Sequence, residues 1–199
     1  MKVIAITGGI GSGKSTVSAY LMNNGFEVVS ADEISRSLTD KNEDMVRELA
    51  TAFGNCILNR DGCIDRQGLA DIVFADDEKK NTLEAIVTNK VIVEISKCID
   101  KKRNEGNLDV LFIEAPLLFE SGCDYLADEI WLVTAPEEDK IKRVTERDGI
   151  NEDQVIARME NQLSDGVKAL LSDRIIENDD GSEALYQQID EVLDEERLE

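Results

Sequence analysis

A glycine-rich loop between a predicted strand and a predicted helix constrains this chain more than any other feature. The segment Val3–Thr7 is mostly β-branched and apolar, which is typical of a strand buried in a parallel sheet. The loop Gly8–Ser15 follows at once and fits the pattern G-x-x-x-x-G-K-[ST]. A helical pattern then runs from Lys14 to Asn24 and ends before Gly25. This order of strand, loop and helix predicts a phosphate-binding loop.

Each residue type in the loop has a task in binding phosphate. The glycines allow a positive φ and a close approach of the backbone to a ligand, and the N–H groups at the helix N-terminus attract phosphate oxygens. Lys14 supplies a positive charge for the β- and γ-phosphates, and Ser15 supplies an oxygen for Mg²⁺. We therefore predict that the chain binds a nucleoside triphosphate.

The rest of the chain predicts an α/β fold. A second strand at Glu27–Val29 completes a βαβ unit, which implies a parallel sheet. Further strands are predicted at 110–113, 130–133 and 174–177. Helices are predicted at 43–53, after an N-cap at Asp65, at 76–103, at 137–147, at 152–162 with a capping box of Asn151 and Gln154, and from Ser182 to the C-terminus.

Composition excludes several classes of function. The chain has 199 residues, with 22 Lys and Arg against 43 Asp and Glu, and its net charge of −21 opposes binding to nucleic acid or to an anionic membrane. It contains no histidine, which excludes an imidazole metal site and a histidine base. Its four cysteines lack C-x-x-C spacing and no long apolar segment occurs near the N-terminus. We expect a cytoplasmic protein with reduced cysteines.

The pattern of a GTPase is missing from the chain. Its guanine-reading Asn-Lys-x-Asp would need an Asn-Lys pair late in the sheet, but the pair Asn89-Lys90 is followed by Val91-Ile92 within a helical pattern. A kinase of a small molecule fits better, because the chain is short and combines a helical insertion with a later basic segment.

Two carboxylates follow predicted strands. Asp32 is expected at the carboxyl edge of the sheet, where it could orient an attacking hydroxyl and accept its proton. The alternative is that Asp32 N-caps a helix beginning at Glu33. Glu114 ends the third predicted strand, either as a ligand of Mg²⁺ or its water, or as a solvated strand end.

A basic segment stands out in this acidic chain. Residues 140–147 contain four cations, of which Arg143 and Arg147 are four apart and lie on one helix face. Guanidinium groups bind phosphate oxygens and offset charge in a transition state. The alternative is ordinary salt bridging with Glu138, Asp139 or Glu146.

Together these motifs resemble the dephospho-CoA kinase family over nearly the whole chain. The segment Ile6–Thr16 is similar to the family's opening, and Ala31-Asp32 to the acid after its second strand. Asp61–Phe74 resembles its acceptor-lobe signature, and Ala115–Glu120 its motif after the third strand. Its lid pattern and its adenine-side turn are matched by Arg143, Arg147-Asp148, Arg158, Gln162 and Glu177-Asn178.

The resemblance implies a P-loop kinase fold, a three-layer α/β/α arrangement with a five-stranded parallel sheet. It implies one domain over 1–199, with a helical acceptor-binding insertion at about 33–106 and a lid at about 137–165. The implied reaction is ATP-dependent phosphorylation of the ribose 3′-hydroxyl of dephospho-CoA, with Mg²⁺ and with Asp32 as base.

The resemblance also implies a set of site residues. The catalytic ones are Asp32, Lys14 and Arg143. The nucleotide-binding ones are Gly9, Gly11, Ser12, Gly13, Lys14, Ser15, Thr16, Arg147 and Asn178. The acceptor-binding ones are Asp32, Arg66, Pro116 and Leu117, and the Mg²⁺ ligands are Ser15 and Glu114.

One departure and two alternatives stay open. The family commonly carries His-Pro where this chain has Thr88-Asn89, and either residue could supply a hydrogen bond instead. A kinase of another small acceptor would share the loop and the lid. A nucleotide-dependent binding protein would bind ATP but release almost no ADP with any acceptor.

Overall fold

The described residues form a five-stranded parallel sheet and the α-helices that connect its strands. The structure, a computed structural model, describes residues 1–197, excluding the side chains at positions 40, 41, 196 and 197. In this part of the chain the strands are β1 (Lys2–Thr7), β2 (Glu27–Ser30), β3 (Val110–Glu114), β4 (Glu129–Thr134) and β5 (Arg174–Glu177). The α-helices are α1 (Lys14–Asn23), α2 (Ala31–Lys41), α3 (Glu43–Phe53), α4 (Arg66–Phe74), α5 (Asp77–Glu105), α6 (Glu137–Asp148), α7 (Glu152–Glu160), α8 (Asp165–Leu171) and α9 (Ser182–Arg197).

The strand order places β1 in the centre of the sheet. The order is β2-β3-β1-β4-β5, and Ile6 of β1 lies opposite Glu114 of β3 and Trp131 of β4. The chain therefore leaves β1 for β2 on one side, while β4 and β5 lie on the other. In such sheets ligands bind beyond the carboxyl ends of the strands, where the connections diverge. The predicted α/β fold with a five-stranded parallel sheet is confirmed.

The chain divides into two compact units. The first, called the sheet unit below, comprises Met1–Val29 and the chain from Lys102 onward, and the second, the helical unit, comprises Ser30–Lys101.

The core of the sheet unit lies around β1. Residues Val3 to Thr7 are all buried, as expected for a strand that is covered on both faces. One cluster joins strands to α1 and α9 and contains Ile4, Ile6, Val17, Leu21, Phe112, Trp131, Val133, Ile176, Leu185, Ile189 and Leu193. On its edge the rings of Tyr20 and Tyr186 stack with centroids 4.2 Å apart. This packing fixes the strand from which the glycine-rich loop emerges.

The helical unit has a smaller core. Its buried cluster contains Met45, Leu49, Ile57 and Leu69, surrounded by half-buried apolar residues of α3, α4 and α5. Its helices begin at polar caps. The side chain of Asp65 accepts from the N–H groups of Gln67 and Gly68, so the predicted cap is confirmed.

The sequence also predicts the ends of helices in the sheet unit. Gly25 follows α1 with a φ of +86°, a conformation that favours glycine at a helix end. The capping box of Asn151 and Gln154 at the start of α7 is confirmed. The prediction that the last helix reaches the C-terminus extends to positions 198 and 199, which lie outside the described residues.

Helix α8 was not predicted, and α7 ends at Glu160 rather than at residue 162. The apolar residues of α8 do not form a buried stripe, because Val167, Leu170 and Leu171 are exposed. A short helix whose apolar side chains face solvent lacks the periodic signal that reveals a helix packed on a core.

Two further observations concern the cysteines and the helices. Cys56, Cys63 and Cys123 are free thiols. Among the described residues, no helix combines the length and the apolar character that spanning a membrane would demand.

Candidate active site

The glycine-rich loop connects the end of β1 to the start of α1. Gly11 has a φ of +78° and Gly13 one of +104°, which L side chains rarely adopt. A Cβ on Gly11 would lie 2.6 Å from the carbonyl oxygen of Lys140, and one on Gly13 would overlap Nδ2 of Asn178. Both positions therefore need glycine for backbone conformation and for space, and neighbouring elements pack directly on the loop.

The Lys14 side chain folds back across the loop. Its Nζ donates to the carbonyl oxygens of Gly8 and Gly9, each at 2.8 Å, and the residue is buried. These bonds place a positive charge beside the first glycines of the loop, where the N–H groups already create a positive potential. An anion at this loop would meet an ammonium group that is already in place.

Three side chains from distant parts of the sequence hold the loop. The Arg143 guanidinium donates to the carbonyl oxygens of Gly11 at 3.4 Å and Asn178 at 3.0 Å. The Asn178 amide donates to the carbonyl oxygen of Ser12 at 2.8 Å. The structure thus brings two predicted site residues, Arg143 and Asn178, to the predicted loop. These contacts of Arg143 are with backbone carbonyls, and they differ from the salt bridges that the alternative interpretation described.

Gln162 provides the third of these contacts. Its Oε1 accepts from the N–H of Ile10 at 2.9 Å. Gln162 lies between α7 and α8, so this bond connects the loop to the segment that joins those two helices. One backbone N–H group of the loop is therefore already hydrogen-bonded to the side chain of Gln162.

An ion pair that the sequence did not predict lies beside Gly9. Lys140 Nζ and Asp165 Oδ2 are 2.7 Å apart, and the Lys140 side chain is 7% exposed. An ideal Cβ on Gly9 would lie 3.1 Å from Asp165 Oδ1 and 3.8 Å from Lys140 Nζ. Lys140 belongs to the basic segment identified from the sequence, but no local sequence pattern indicates that Asp165 is its partner.

Arg147 makes different contacts from Arg143. Its Nε donates to Asp148 Oδ1 at 2.7 Å, and Arg158 donates to the same carboxyl group at 2.9 Å. The hydrogen bond from Arg147 holds the pKa of the Asp148 carboxyl below its usual value and raises the pKa of the Arg147 guanidinium. For Arg147 the salt-bridge alternative describes the observed contacts, although the partner is Asp148 rather than Glu138, Asp139 or Glu146.

The predicted Mg²⁺ ligands lie at the start of α1 and at the end of β3. Ser15 is exposed in the first turn of α1, and Glu114 is half-buried opposite Ile6, two residues before the loop. Among the described residues, no three His, Cys, Asp or Glu side chains group together to hold a metal ion.

The segment after β3 is held by a buried lysine. Lys168 is fully buried, and its Nζ lies 3.0 Å from Glu120 Oε1 and 3.3 Å from the carbonyl oxygen of Pro116. Leu117, between these two partners, is 49% exposed. The predicted acceptor residues Pro116 and Leu117 thus belong to a segment anchored by a charge that is removed from water.

The predicted acceptor residues Asp32 and Arg66 belong to the helical unit. Asp32 is exposed in the first turn of α2, two residues after β2 ends. Its alternative role as N-cap is wrong, since the cap is Ser30, whose hydroxyl accepts from the N–H of Glu33 at 3.4 Å. Arg66 begins α4 and donates to Thr39 Oγ1 at 3.4 Å.

The fold and the loop define the chain as a P-loop kinase, and comparison with known proteins gives the family. The profile of the dephospho-CoA kinase family matches residues 2–184. A dephospho-CoA kinase of Carboxydothermus hydrogenoformans is 38% identical over 193 residues, which cover 97% of this chain and 93% of that protein. The chain therefore belongs to the dephospho-CoA kinase family.

Solved structures agree with this assignment. A crystal structure from Thermus thermophilus is similar with a TM-score of 0.79 and 33% identity, covering 98% of this chain and 97% of the other. A dephospho-CoA kinase from Campylobacter jejuni gives a TM-score of 0.73 and 29% identity with the same coverage.

Proposed function

We propose that the chain transfers the γ-phosphoryl group of ATP to the ribose 3′-hydroxyl of dephospho-CoA, giving coenzyme A and ADP, the last step of coenzyme A biosynthesis. Family membership across almost the whole chain supports this activity. The single observation that carries it in the structure is the loop Gly8–Ser15, with Lys14 held across it. The expected location is the cytoplasm, with a small molecule as acceptor and neither nucleic acid nor membrane as partner.

The donor side uses the loop and its neighbours. Main-chain N–H groups of Gly9 and of residues 11–16 bind the phosphates, and Lys14 neutralises the β- and γ-phosphates. The Ser12 hydroxyl is buried in the loop with no hydrogen-bond partner among the described residues, and a phosphate oxygen would satisfy it. Asn178 fixes the loop at Ser12, which supports its assignment to nucleotide binding.

Arg143 steadies the transferred phosphoryl group. A guanidinium has five N–H donors, so bonds to the carbonyls of Gly11 and Asn178 leave donors for phosphate oxygens. These two bonds also hold the charge in a fixed place, which reduces the reorganisation needed when charge develops. Arg147 binds nucleotide in the same proposal, on condition that it leaves Asp148.

The residues at the sheet edge fit a magnesium ion. Mg²⁺ prefers oxygen ligands and is usually held by one or two protein groups together with substrate phosphates. The Ser15 hydroxyl and the Glu114 carboxylate supply such oxygens. When bound, the ion would neutralise charge on the phosphates and orient them.

The acceptor side requires a base. Asp32 accepts the proton of the 3′-hydroxyl, the 3′-oxygen attacks the γ-phosphorus in line, and the bond to the β,γ-bridging oxygen breaks to release ADP. The exposed position of Asp32 and the absence of a capping role support this function. Arg66, Pro116 and Leu117 contact the acceptor.

The helical insertion and the lid are part of the proposal. Residues 33–106 bind the acceptor, and residues 137–165 cover the site during transfer. Exclusion of water during the reaction favours transfer over hydrolysis of ATP.

The test is the acceptor dependence of ADP release. Purified chain with MgATP should release ADP rapidly only when dephospho-CoA is added, and mass spectrometry should identify coenzyme A as product. Turnover with a nucleoside, shikimate or gluconate instead would favour a kinase of another acceptor. Tight ATP binding without acceptor-dependent ADP release would favour a binding protein.

A further inference from the structure

The ion pair of Lys140 and Asp165 lies where bound phosphates would change its energy. The Lys140 ammonium bonds Asp165 at 2.7 Å and is almost completely buried, whereas the Asp165 side chain is 26% exposed. A buried ammonium without a counterion is strongly unfavourable, so in this state Lys140 depends on Asp165 for its charge balance.

Both groups converge on the loop at Gly9. Asp165 Oδ1 lies 3.1 Å and Lys140 Nζ lies 3.8 Å from the position of an ideal Cβ on that glycine. Lys14 Nζ donates to the carbonyl oxygen of the same residue. Because Lys14 is the residue that the motif assigns to the β- and γ-phosphates, Lys140 lies near the same end of the phosphate chain.

The negative charge of Asp165 opposes the binding of phosphate by the loop. A carboxylate beside a cluster of backbone N–H groups repels phosphate, and it also cancels the charge of Lys140. A phosphate group can replace the carboxylate as counterion, since both accept charge-assisted hydrogen bonds from an ammonium.

We propose that Lys140 is a phosphate-binding residue that exchanges Asp165 for the terminal phosphates of ATP when nucleotide binds. Asp165 is then a competing counterion, which keeps the buried ammonium neutralised while the loop is empty. This inference rests on the proposed function only in taking ATP as the nucleotide.

The first test compares ATP and ADP on a Lys140→Met variant by isothermal titration calorimetry, with Mg²⁺ and without acceptor. Loss of one charge-assisted bond should raise the Kd of ATP about tenfold to a hundredfold, and the Kd of ADP, which lacks the terminal phosphate, by less than about threefold. Lys142→Met removes the same charge from an exposed position on the same helix and should leave both constants unchanged. Unchanged ATP binding in Lys140→Met would overturn the proposal, as would equal weakening of ATP and ADP.

The second test removes the competitor. Asp165→Asn keeps the shape of the side chain but frees the ammonium, so ATP should bind more tightly than to the wild type. In the Lys140→Met background the same substitution should tighten ATP binding by a smaller factor, because only the direct repulsion between Asp165 and phosphate is then relieved and the Lys140 ammonium is no longer there to be freed. Weaker ATP binding in Asp165→Asn would show that the pair is purely structural.

The two tests are independent of the acceptor. If dephospho-CoA is not turned over but Lys140→Met raises the Kd of ATP more than the Kd of ADP, the proposed reaction fails and this inference stands. Should Asp165→Asn fail to fold, the comparison of ATP with ADP on Lys140→Met decides the matter alone.

Discussion

The sheet unit and the helical unit hold their functional residues by different means. In the sheet unit the phosphate loop is fixed by side chains far away in sequence, with Gln162 bonded to Ile10 and Asn178 bonded to Ser12 across 152 and 166 positions. In the helical unit the bonds near candidate residues are shorter in sequence: Asp65 caps the helix that Arg66 begins, and Arg66 bonds Thr39 across 27 positions. A loop that binds phosphate through its backbone needs this fixed geometry, because its N–H groups cannot be repositioned individually.

The two units also differ in the size of their buried apolar clusters. Among the described residues, one buried cluster of the sheet unit contains eleven apolar residues, whereas one in the helical unit contains four. Burial of apolar surface is the main favourable term in folding, so we expect local opening to cost less in the helical unit. The phosphate loop therefore lies in the unit that we expect to resist local opening more.

Removing the ammonium from the loop should produce the largest effect. Lys14→Ala deletes a buried charge that is bonded to two loop carbonyls, and kcat should fall by about 10³-fold or more because the phosphates lose their fixed counterion. Lys97→Ala, which removes an exposed lysine from the helical unit, is the matched control and should change kcat by less than about twofold. Steady-state ADP release measures both variants. Near-normal kcat in Lys14→Ala would contradict the role of the loop.

Replacing the proposed base should affect chemistry but not the donor. Asp32→Asn keeps the size of the side chain, and kcat should fall by about 10²–10⁴-fold because the amide cannot accept the proton. The Kd of ATP should change little, since the substitution leaves the loop Gly8–Ser15 and the bonds of Lys14 untouched. Glu33→Gln alters the next residue in the same helical turn and serves as control. A change confined to the KM of dephospho-CoA would mean that Asp32 only positions the acceptor.

Two glycines with the same φ allow the effect of packing to be separated from that of backbone strain. Gly11 and Gly62 both have a φ of +78°, but a Cβ on Gly62 meets nothing within 4 Å, whereas one on Gly11 would lie 2.6 Å from the Lys140 carbonyl oxygen. Gly62→Ala should therefore cost about 1–2 kcal/mol, the penalty of a left-handed conformation. Gly11→Ala should cost about 1–3 kcal/mol more because of overpacking. Urea-induced unfolding gives both values, and equal losses would mean that α6 moves away from the loop without resistance.

The features predicted from sequence are those whose signals are local. The loop, the buried strand before it and the caps at Asp65 and Asn151 each depend on residues a few positions apart. The cap of α2 shows the limit of such signals. Ser30 and Asp32 are both good N-caps, and the choice depends on where β2 ends, which is at Ser30 in an extended conformation.

The features not predicted depend on the tertiary fold. Lys140 and Asp165 are 25 positions apart, and their contact requires α8, whose exposed apolar residues hid it in the sequence. Gln162 was identified only through the resemblance, and its bond to Ile10 spans most of the chain. Periodicity and spacing describe single elements, and they do not specify which side chains meet on a loop.

The smallest expected effect concerns the rates at which cysteines of the two units react with an alkylating reagent. Cys56 and Cys63 of the helical unit are exposed, whereas Cys123 of the sheet unit is buried, and burial raises the pKa of its thiol. The thiolate is the nucleophile, and a raised pKa means that the protonated thiol persists to higher pH. At pH 8 iodoacetamide should therefore alkylate Cys123 at least about tenfold more slowly than Cys56 and Cys63, and its labelling should increase as the pH rises. Peptide mass spectrometry of timed samples measures this, and uniform labelling would show that the segment around Cys123 opens as readily as the helical unit.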